Sequence, residues 1–138
     1  MKEWRGKAAL ENIPAVTAFI DEQLEALDCP MKAQMQIDVA IDELFGNIAH
    51  YAYGGESGDA AVRFGFDEAS RTVSITFIDG GVPFNPLEQA DPDVTLSAAE
   101  RSIGGLGIFM VKKSMDQVAY RYENGCNVLI IYKRISVS

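Results

Sequence analysis

The most informative stretch of the sequence is IDELFGN, residues 41–47. It lies within a longer run of helical periodicity, which predicts a helix over residues 30–51. Stepping about 100° per residue along this helix gathers its apolar residues into one stripe that faces a core. Glu43, Asn47 and His50 fall together on a polar ridge beside that stripe.

This ridge has two interpretations. Most surface helices carry a polar face that simply contacts solvent. A carboxylate and a carboxamide one turn apart, here Glu43 and Asn47, also offer a pair of oxygens to a hard cation. Mg²⁺ prefers such oxygen ligands and keeps several of its waters. An E-x-x-x-N pair by itself does not separate the two interpretations.

The segments around this helix predict an α+β fold. Hairpin signals on both sides of a helix indicate a two-layer sandwich, in which a mixed or antiparallel sheet of four or more strands carries helices on one face. Long loops are uncommon in compact domains unless they have a function. The predicted elements, in chain order, are helices at 14–28 and 30–51, strands at 60–66 and 71–78, a loop at 80–105 with a short helix at 96–101, a helix from Gly107, and strands at 117–122 and 128–133.

Two stretches that contain glycine add candidate sites. A predicted strand leads Asp79 directly into Gly80 and Gly81. Asp and Gly favour turns, but a carboxylate at a pocket mouth also accepts a hydrogen bond from an amine, and glycines let a ligand approach the backbone. The second stretch, GGLG at 104–107, precedes a predicted helix. It is either a hinge or an anion site, because free N–H groups and the helix dipole favour negative charge there.

Composition excludes several classes of protein. The 138 residues carry 12 Lys and Arg against 20 Asp and Glu, a formal net charge of −8. An acidic protein repels phosphate backbones, so direct binding of nucleic acid or of an anionic membrane is not expected. Two distant cysteines and a single histidine give no disulfide framework and no HExxH zinc site. The sequence contains no P-loop, Rossmann fingerprint, His-Arg-Asp element or Gly-x-Ser-x-Gly elbow.

The sequence shows no signal for secretion or for insertion into a membrane. The N-terminal stretch has no apolar core typical of a signal peptide. No run of the sequence approaches the roughly 18 apolar residues of a membrane-spanning helix. We therefore expect a single domain over residues 1–138, located in the cytoplasm.

The motifs are more specific in combination than separately. A helix with E-x-x-x-N, a strand ending in D-x-G-x-P-F, a long loop and GGLG on a helix, in that order, resemble the GHKL (histidine-kinase-like) ATP-binding superfamily. Within it, the chain resembles the bacterial anti-sigma factor serine/threonine kinases over about residues 13–134. The stretches that carry the resemblance are 41–47, 79–86, 104–111, 115–118 and 120–122, the last followed by Asn124-Gly125.

The resemblance implies ATP and Mg²⁺ as cofactors, and it implies roles by position. Asn47 would ligate the Mg²⁺ that bridges the ATP phosphates. Glu43 would be the general base that takes the proton from an attacking hydroxyl. Asp79 would accept a hydrogen bond from the adenine amine, and Gly81 would shape that wall of the pocket.

The other ATP contacts that the resemblance implies lie mostly in the glycine-rich stretch and the loop before it. Gly105 and Gly107 would direct their N–H groups to the phosphates, and residues 87–104 would form a lid. Arg101 would either move in with the lid or contact a partner protein. His50 would either line the phosphate mouth or have a structural role. Three further residues complete the expected ATP-binding set: Pro83, Gly104 and Leu106.

The implied function is a kinase that sequesters a sigma factor and phosphorylates a serine or threonine on an anti-sigma-factor antagonist protein, as a homodimer. The alternative is a catalytically silent module that binds nucleotide, or sequesters a partner, without chemistry. Glu43 argues against that alternative, because a kinase that has lost activity need not keep its base. A sensor-kinase fragment is disfavoured, since the only histidine lies in the helix of the ATP site.

Overall fold

The structure is a computed structural model that describes residues 2–88 and 105–135. The predicted short helix at 96–101 and most of the predicted lid lie outside these residues. Within the described ranges, no helix combines the length and the apolar character needed to cross a membrane. The elements in chain order are β1 (Lys2–Lys7), a 3-10 turn (Leu10–Asn12), α1 (Ile13–Ala26), α2 (Met31–Tyr51), β2 (Asp59–Asp67), β3 (Thr72–Asp79), a 3-10 turn (Pro86–Glu88), α3 (Gly105–Ser114), β4 (Gln117–Glu123) and β5 (Cys126–Arg134).

The five described strands form one sheet in the order β1-β2-β3-β5-β4. Each neighbouring pair is antiparallel, which resolves the choice between a mixed and an antiparallel sheet. The predicted α+β class is confirmed. The hairpin between β4 and β5 turns at Asn124 and Gly125, whose φ angles of 53° and 76° are the positive values that a tight hairpin turn requires.

Strand β1 was not predicted from the sequence. Its six residues, KEWRGK, contain one large apolar side chain and no alternation of apolar and polar positions. The strand forms because it pairs with β2, where Trp4 lies opposite Val62. The Trp4 ring also packs edge-on against Phe45 of α2, with 5.7 Å between ring centroids. Tertiary contacts therefore outweigh the weak local preference of this segment.

The core lies between the helices and one face of the sheet. Alternate residues of β3 point into it, so that Val73, Ile75, Phe77 and Asp79 are buried while their neighbours are only partly covered. The three helices contribute their apolar stripes to the same cluster. Among the described residues, the buried polar side chains are Asp79 and Asn127. Both lie at the same end of the sheet, where β3 leads into its loop and β5 begins.

Helices α1 and α2 bring two carboxyl groups together. Asp21 of α1 faces Asp38 of α2, and each has a buried Oδ1 with no hydrogen-bond partner. Burial and the facing Asp21 raise the pKa of Asp38 from its ordinary 3.8 to about 7, with a further contribution from Glu25. Two adjacent carboxylates repel each other, and a proton held by Asp38 relieves that repulsion.

The Asp38→Asn variant should change how stability depends on pH. The folded wild type keeps a proton on Asp38 that the unfolded chain releases above pH 3.8, so its free energy of unfolding falls as the pH rises from about 4 to about 7. The Asp38→Asn variant has no such proton to release. Its free energy of unfolding, relative to that of wild type, should therefore increase between about pH 4 and about pH 7. Urea unfolding at pH 4.5 and 7.5 measures it, with Glu22→Gln, an exposed carboxyl of α1, as control. Identical pH slopes for wild type and Asp38→Asn would contradict the assignment.

Candidate functional site

A pocket opens between the C-terminal half of α2 and the end of the sheet. It is narrow, with a cavity volume of about 30 Å³, or about 400 Å³ when the open space at its mouth is included. Its walls are mostly apolar, with a few polar side chains, as is usual in sites that bind small molecules. The lining residues are Leu44, Asn47, Ile48 and Ala52 of α2, Phe77 and Asp79 of β3, Phe84 and Pro86 of the following loop, and Asn127 and Leu129 of β5.

Asp79 is the buried carboxylate of this pocket, with only 5% of its surface exposed. The alternation of β3 places it on the core face, directly after Phe77. Its Oδ1 accepts hydrogen bonds from the backbone N–H of Gly81 at 2.9 Å and from Nδ2 of Asn127 at 2.9 Å. Asp79 therefore combines the two interpretations of the sequence, because it stabilises a turn and also lines a pocket.

Asn127 was not predicted to be a site residue from the sequence, although it connects Asp79 with the loop that follows β3. Besides Asp79, its Nδ2 donates to the carbonyl of Val82 at 2.8 Å. Its Oδ1 accepts from the N–H of Phe84 at 3.0 Å and from the Tyr120 hydroxyl. An asparagine two residues after Asn124-Gly125 looks like part of a turn in the sequence. Only the pairing of β3 with β5 reveals that it lies opposite Asp79.

The loop after β3 packs tightly against the end of α2. A Cβ atom at Gly81 would overlap the backbone carbonyl of Ala52, so no larger residue fits there without a shift of the backbone. The N–H of Val82 donates to that same carbonyl at 2.8 Å. The N–H of Gly80 donates to the Tyr53 hydroxyl at 2.8 Å. Gly81 thus lets the loop pack against Ala52, which lines the pocket, and its own contribution to the pocket wall stays a prediction.

Glu43 and Asn47 form the polar ridge predicted on α2. Both are half-buried, and the Asn47 side chain donates a hydrogen bond to the Glu43 carboxylate. Burial raises the pKa of Glu43, the negative charge of Asp42 raises it further, and the Asn47 bond partly offsets both. Helix α3 reaches the same place, because a Cβ atom at Gly107 would overlap the Glu43 carboxyl group. Two motifs more than 60 residues apart in the chain (43 and 107) therefore meet.

The remaining predicted site residues differ in how close they lie to the pocket. His50 is exposed in the last turn of α2, and its ring lies against Tyr51 at 5.9 Å between centroids rather than among the pocket residues. Pro83 is exposed as well, while the next residue, Phe84, lines the pocket. Gly105 and Leu106 form the start of α3. Two predicted contacts, Arg101 and Gly104, lie outside the described residues.

The oxygen donors on α2 fit a cation that takes few protein ligands. Of the Asn47 side-chain atoms, the amide oxygen is the one that can ligate a metal, because the amide nitrogen is a donor only. Within the part of the chain that the structure describes, no group of three or more His, Cys, Asp or Glu side chains could hold a metal. Mg²⁺ commonly binds through one or two protein oxygens together with waters and phosphate oxygens. The residues therefore fit Mg²⁺ that arrives with a nucleotide.

Comparisons with known proteins identify the family of this chain. A family described as the histidine kinase-like ATPase domain matches residues 6–133. An anti-sigma F factor from Pasteuria penetrans is 29% identical over 125 residues, covering 90% of this chain and 81% of the relative. A serine-protein kinase RsbW from Listeria monocytogenes is 28% identical over 130 residues, covering 91% of this chain and 75% of the relative.

A solved structure has the same fold. The crystal structure of the RsbU and RsbW domains of Rv1364c from Mycobacterium tuberculosis matches 100% of this chain with a TM-score of 0.65 and 16% sequence identity. This chain spans about a third (34%) of the length of that protein. The resemblance drawn from the sequence motifs is confirmed. Since the family match covers nearly all of the chain, this protein belongs to the histidine kinase-like ATPase domain family.

Proposed function

We propose that this protein binds ATP with Mg²⁺ in the pocket beside α2 and phosphorylates a serine or threonine of an anti-sigma-factor antagonist protein. The observation that carries the proposal is the meeting of Glu43 with Gly107 at the start of α3, one helical turn from Asn47 of the pocket. A base, a metal ligand and a helix N-terminus are the groups that phosphoryl transfer requires. Relatives described as an anti-sigma F factor and a serine-protein kinase support it.

The base of ATP would occupy the apolar pocket. Phe77 and Leu129 provide walls, and Asp79 provides the polar group at depth. Among the described residues, the N–H of Gly81 and Nδ2 of Asn127 both donate hydrogen bonds to Oδ1 of Asp79. Oδ2 is therefore left to accept a hydrogen bond from the adenine amine. A buried carboxylate that accepts from an amine discriminates against a base with a carbonyl at that position, because two acceptors would then face each other.

The phosphates would lie between α2 and the start of α3. The first N–H groups of a helix have no partner within the helix, and the helix dipole favours an anion there. Gly107 allows the phosphates to approach the backbone of α3 closely, since it presents no side chain toward Glu43. Asn47 would hold Mg²⁺, which neutralises phosphate charge when bound. Few basic side chains are available for that task in a chain of net charge −8.

Glu43 would act on the protein substrate rather than on ATP. As the hydroxyl oxygen of the serine or threonine forms its bond to the γ-phosphorus, its proton passes to the Glu43 carboxylate and ADP leaves. Burial raises the pKa of Glu43, which makes the carboxylate a stronger base. The neighbouring Asn47 side chain partly offsets that rise in the pKa of Glu43.

We also propose that the protein sequesters a sigma factor and does so as a homodimer. The description of one relative as an anti-sigma F factor supports the first part. A protein that binds both a sigma factor and an antagonist could switch between them as phosphorylation changes the affinity of the antagonist. The catalytically silent alternative differs from this proposal in one measurable respect, which is the transfer step.

Titration of ATP by calorimetry, with and without Mg²⁺, tests the pocket. Wild type should bind ATP more tightly with Mg²⁺. Asp79→Ala should weaken binding roughly 10- to 100-fold, because a hydrogen bond to a charged group contributes about 1.5–3 kcal/mol. Asn47→Ala should remove the effect of Mg²⁺. Glu68→Ala, an exposed carboxyl in the β2–β3 turn, is the control. Unchanged affinity in Asp79→Ala would exclude this pocket.

The Glu43→Gln variant separates binding from chemistry. It should bind ATP as wild type does, yet transfer phosphate about 10²–10⁴-fold more slowly, because a general base acts on the chemical step. The wild-type rate should fall as the pH drops through the raised pKa of Glu43, above its ordinary 4.5. Radiolabelled ATP with a purified antagonist protein measures both. If the variant keeps the wild-type rate, Glu43 is not the base.

Asn127→Leu should damage both the fold and the pocket. It leaves Asp79, Val82, Phe84 and Tyr120 each short of a partner, and every buried group that loses its bond costs about 1–3 kcal/mol. The thermal midpoint should drop, and ATP affinity should fall with it. Differential scanning calorimetry and ATP titration provide the readouts. Asn12→Ala, which loses one exposed bond to a backbone carbonyl, should change neither by much.

A further inference from the structure

A groove between α2 and α3 presents apolar side chains to solvent. Its sides are formed by Met31, Met35 and Val39 of α2 and by Met110 of α3, which we call the methionine groove. These side chains are 72%, 60%, 61% and 51% exposed, respectively. Isolated exposed apolar residues are ordinary, whereas a contiguous set of this kind marks an interaction site.

The methionine groove leads to the proposed base. On α2, Met31, Met35 and Val39 recur every four residues, and the next position in this series is Glu43. At a rise of about 1.5 Å per residue, Val39 lies about 6 Å and Met31 about 18 Å from Glu43 along the helix axis. On α3, Met110 lies one turn after Gly107, which contacts Glu43. Both sides of the groove therefore converge on one carboxylate.

The side chains of the groove suit a protein partner. Methionine is flexible and polarisable, so it adapts to irregular protein surfaces. ATP has its own pocket on the other side of Asn47, where Asp79 lies, so the groove has no evident use in nucleotide binding. A protein whose hydroxyl must reach Glu43 has to cover the surface that surrounds Glu43, and the groove is the apolar part of that surface.

Charge around the groove restricts the partner further. Lys32 is the one charged side chain among the described residues that line it. No Asp or Glu is among the described residues that line it, although the whole chain has a net charge of −8. Complementary charge at an interface rim directs encounter and orientation. The partner surface that complements the methionine groove is therefore apolar and bordered by carboxylates.

We propose that the methionine groove is the docking surface for the phosphoacceptor protein. The partner inserts apolar side chains between α2 and α3, places carboxylates near Lys32, and so presents its serine or threonine to Glu43 within about 6–18 Å of those contacts. This inference rests on the kinase function proposed above. It adds a surface outside the nucleotide site that selects the protein substrate.

The test uses the anti-sigma-factor antagonist proteins of the source organism, each purified and assayed for phosphorylation by the full chain. Met35→Glu should raise KM for the protein substrate at least tenfold, since it places a charge in the centre of an apolar contact. Its Kd for ATP should stay within about twofold of wild type. Tyr122→Glu introduces the same charge at an exposed aromatic residue of β4 and should change neither value.

A second variant tests the charge argument. Lys32→Glu should raise KM several-fold at low salt, and the difference from wild type should shrink as salt increases. Circular dichroism and ATP titration verify that both variants are folded. Because Met35 and Lys32 are both exposed, neither change disturbs the core.

The possible outcomes are distinguishable. If wild type binds ATP but phosphorylates none of the antagonist proteins, the proposed kinase function fails and the docking surface fails with it. If wild type is active and Met35→Glu has the wild-type KM, the kinase function stands and the docking inference is overturned. If Met35→Glu leaves KM unchanged but converts a dimer to a monomer in sedimentation, the groove is covered by a second copy of the chain.

Discussion

The hydrogen bond from Asn127 to Asp79 links the sheet, the loop and the pocket. Asp79 is only 5% exposed and needs hydrogen-bond donors, because a buried polar group without a partner is costly. Asn127 provides one donor and uses its remaining capacity to hold the backbone at Val82 and Phe84. Hence the path of the loop is tied to the position of the Asp79 side chain through Asn127. A slip of one residue between β3 and β5 would turn the two side chains to opposite faces of the sheet, so the pocket also depends on the strand register.

Helix α2 imposes a second constraint, which explains two of the glycines. Gly81 and Gly107 belong to different motifs, yet each would place a Cβ atom into a group of α2, the Ala52 carbonyl and the Glu43 carboxyl. Their φ angles are not in the left-handed region, so what these positions require is space. Gly55 and Gly125, by contrast, have positive φ angles and open space around them. Those two serve the geometry of turns, and they lie away from the pocket.

Much of the fold was predictable because it is encoded locally. The periodicity of α2, the alternation of β3 and the Asn-Gly turn each depend on residues close in sequence, and each was predicted within a few positions. Strand β1 was not, since its residues adopt the extended form only against β2. Within the site, Asp79 and Glu43 were singled out by their motifs. Asn127 was not, because its role depends on which strand pairs with β5. The roles of these residues came from a family resemblance rather than from spacing.

The edge strand β1 has a further consequence for handling this protein. It covers the backbone of β2 at residues 59–64, which include the apolar run Ala60, Ala61 and Val62. Its own side chains are mostly charged, and two of them form ion pairs with β2, Lys7 with Asp59 and Glu3 with Arg63. Unpaired apolar edges recruit strands from other molecules, while charged ones resist this. Truncation of β1 would therefore leave the backbone N–H and C=O groups of β2 unpaired along an apolar edge. Shortened versions of the chain would then aggregate by strand pairing at β2, although the pocket itself would be untouched.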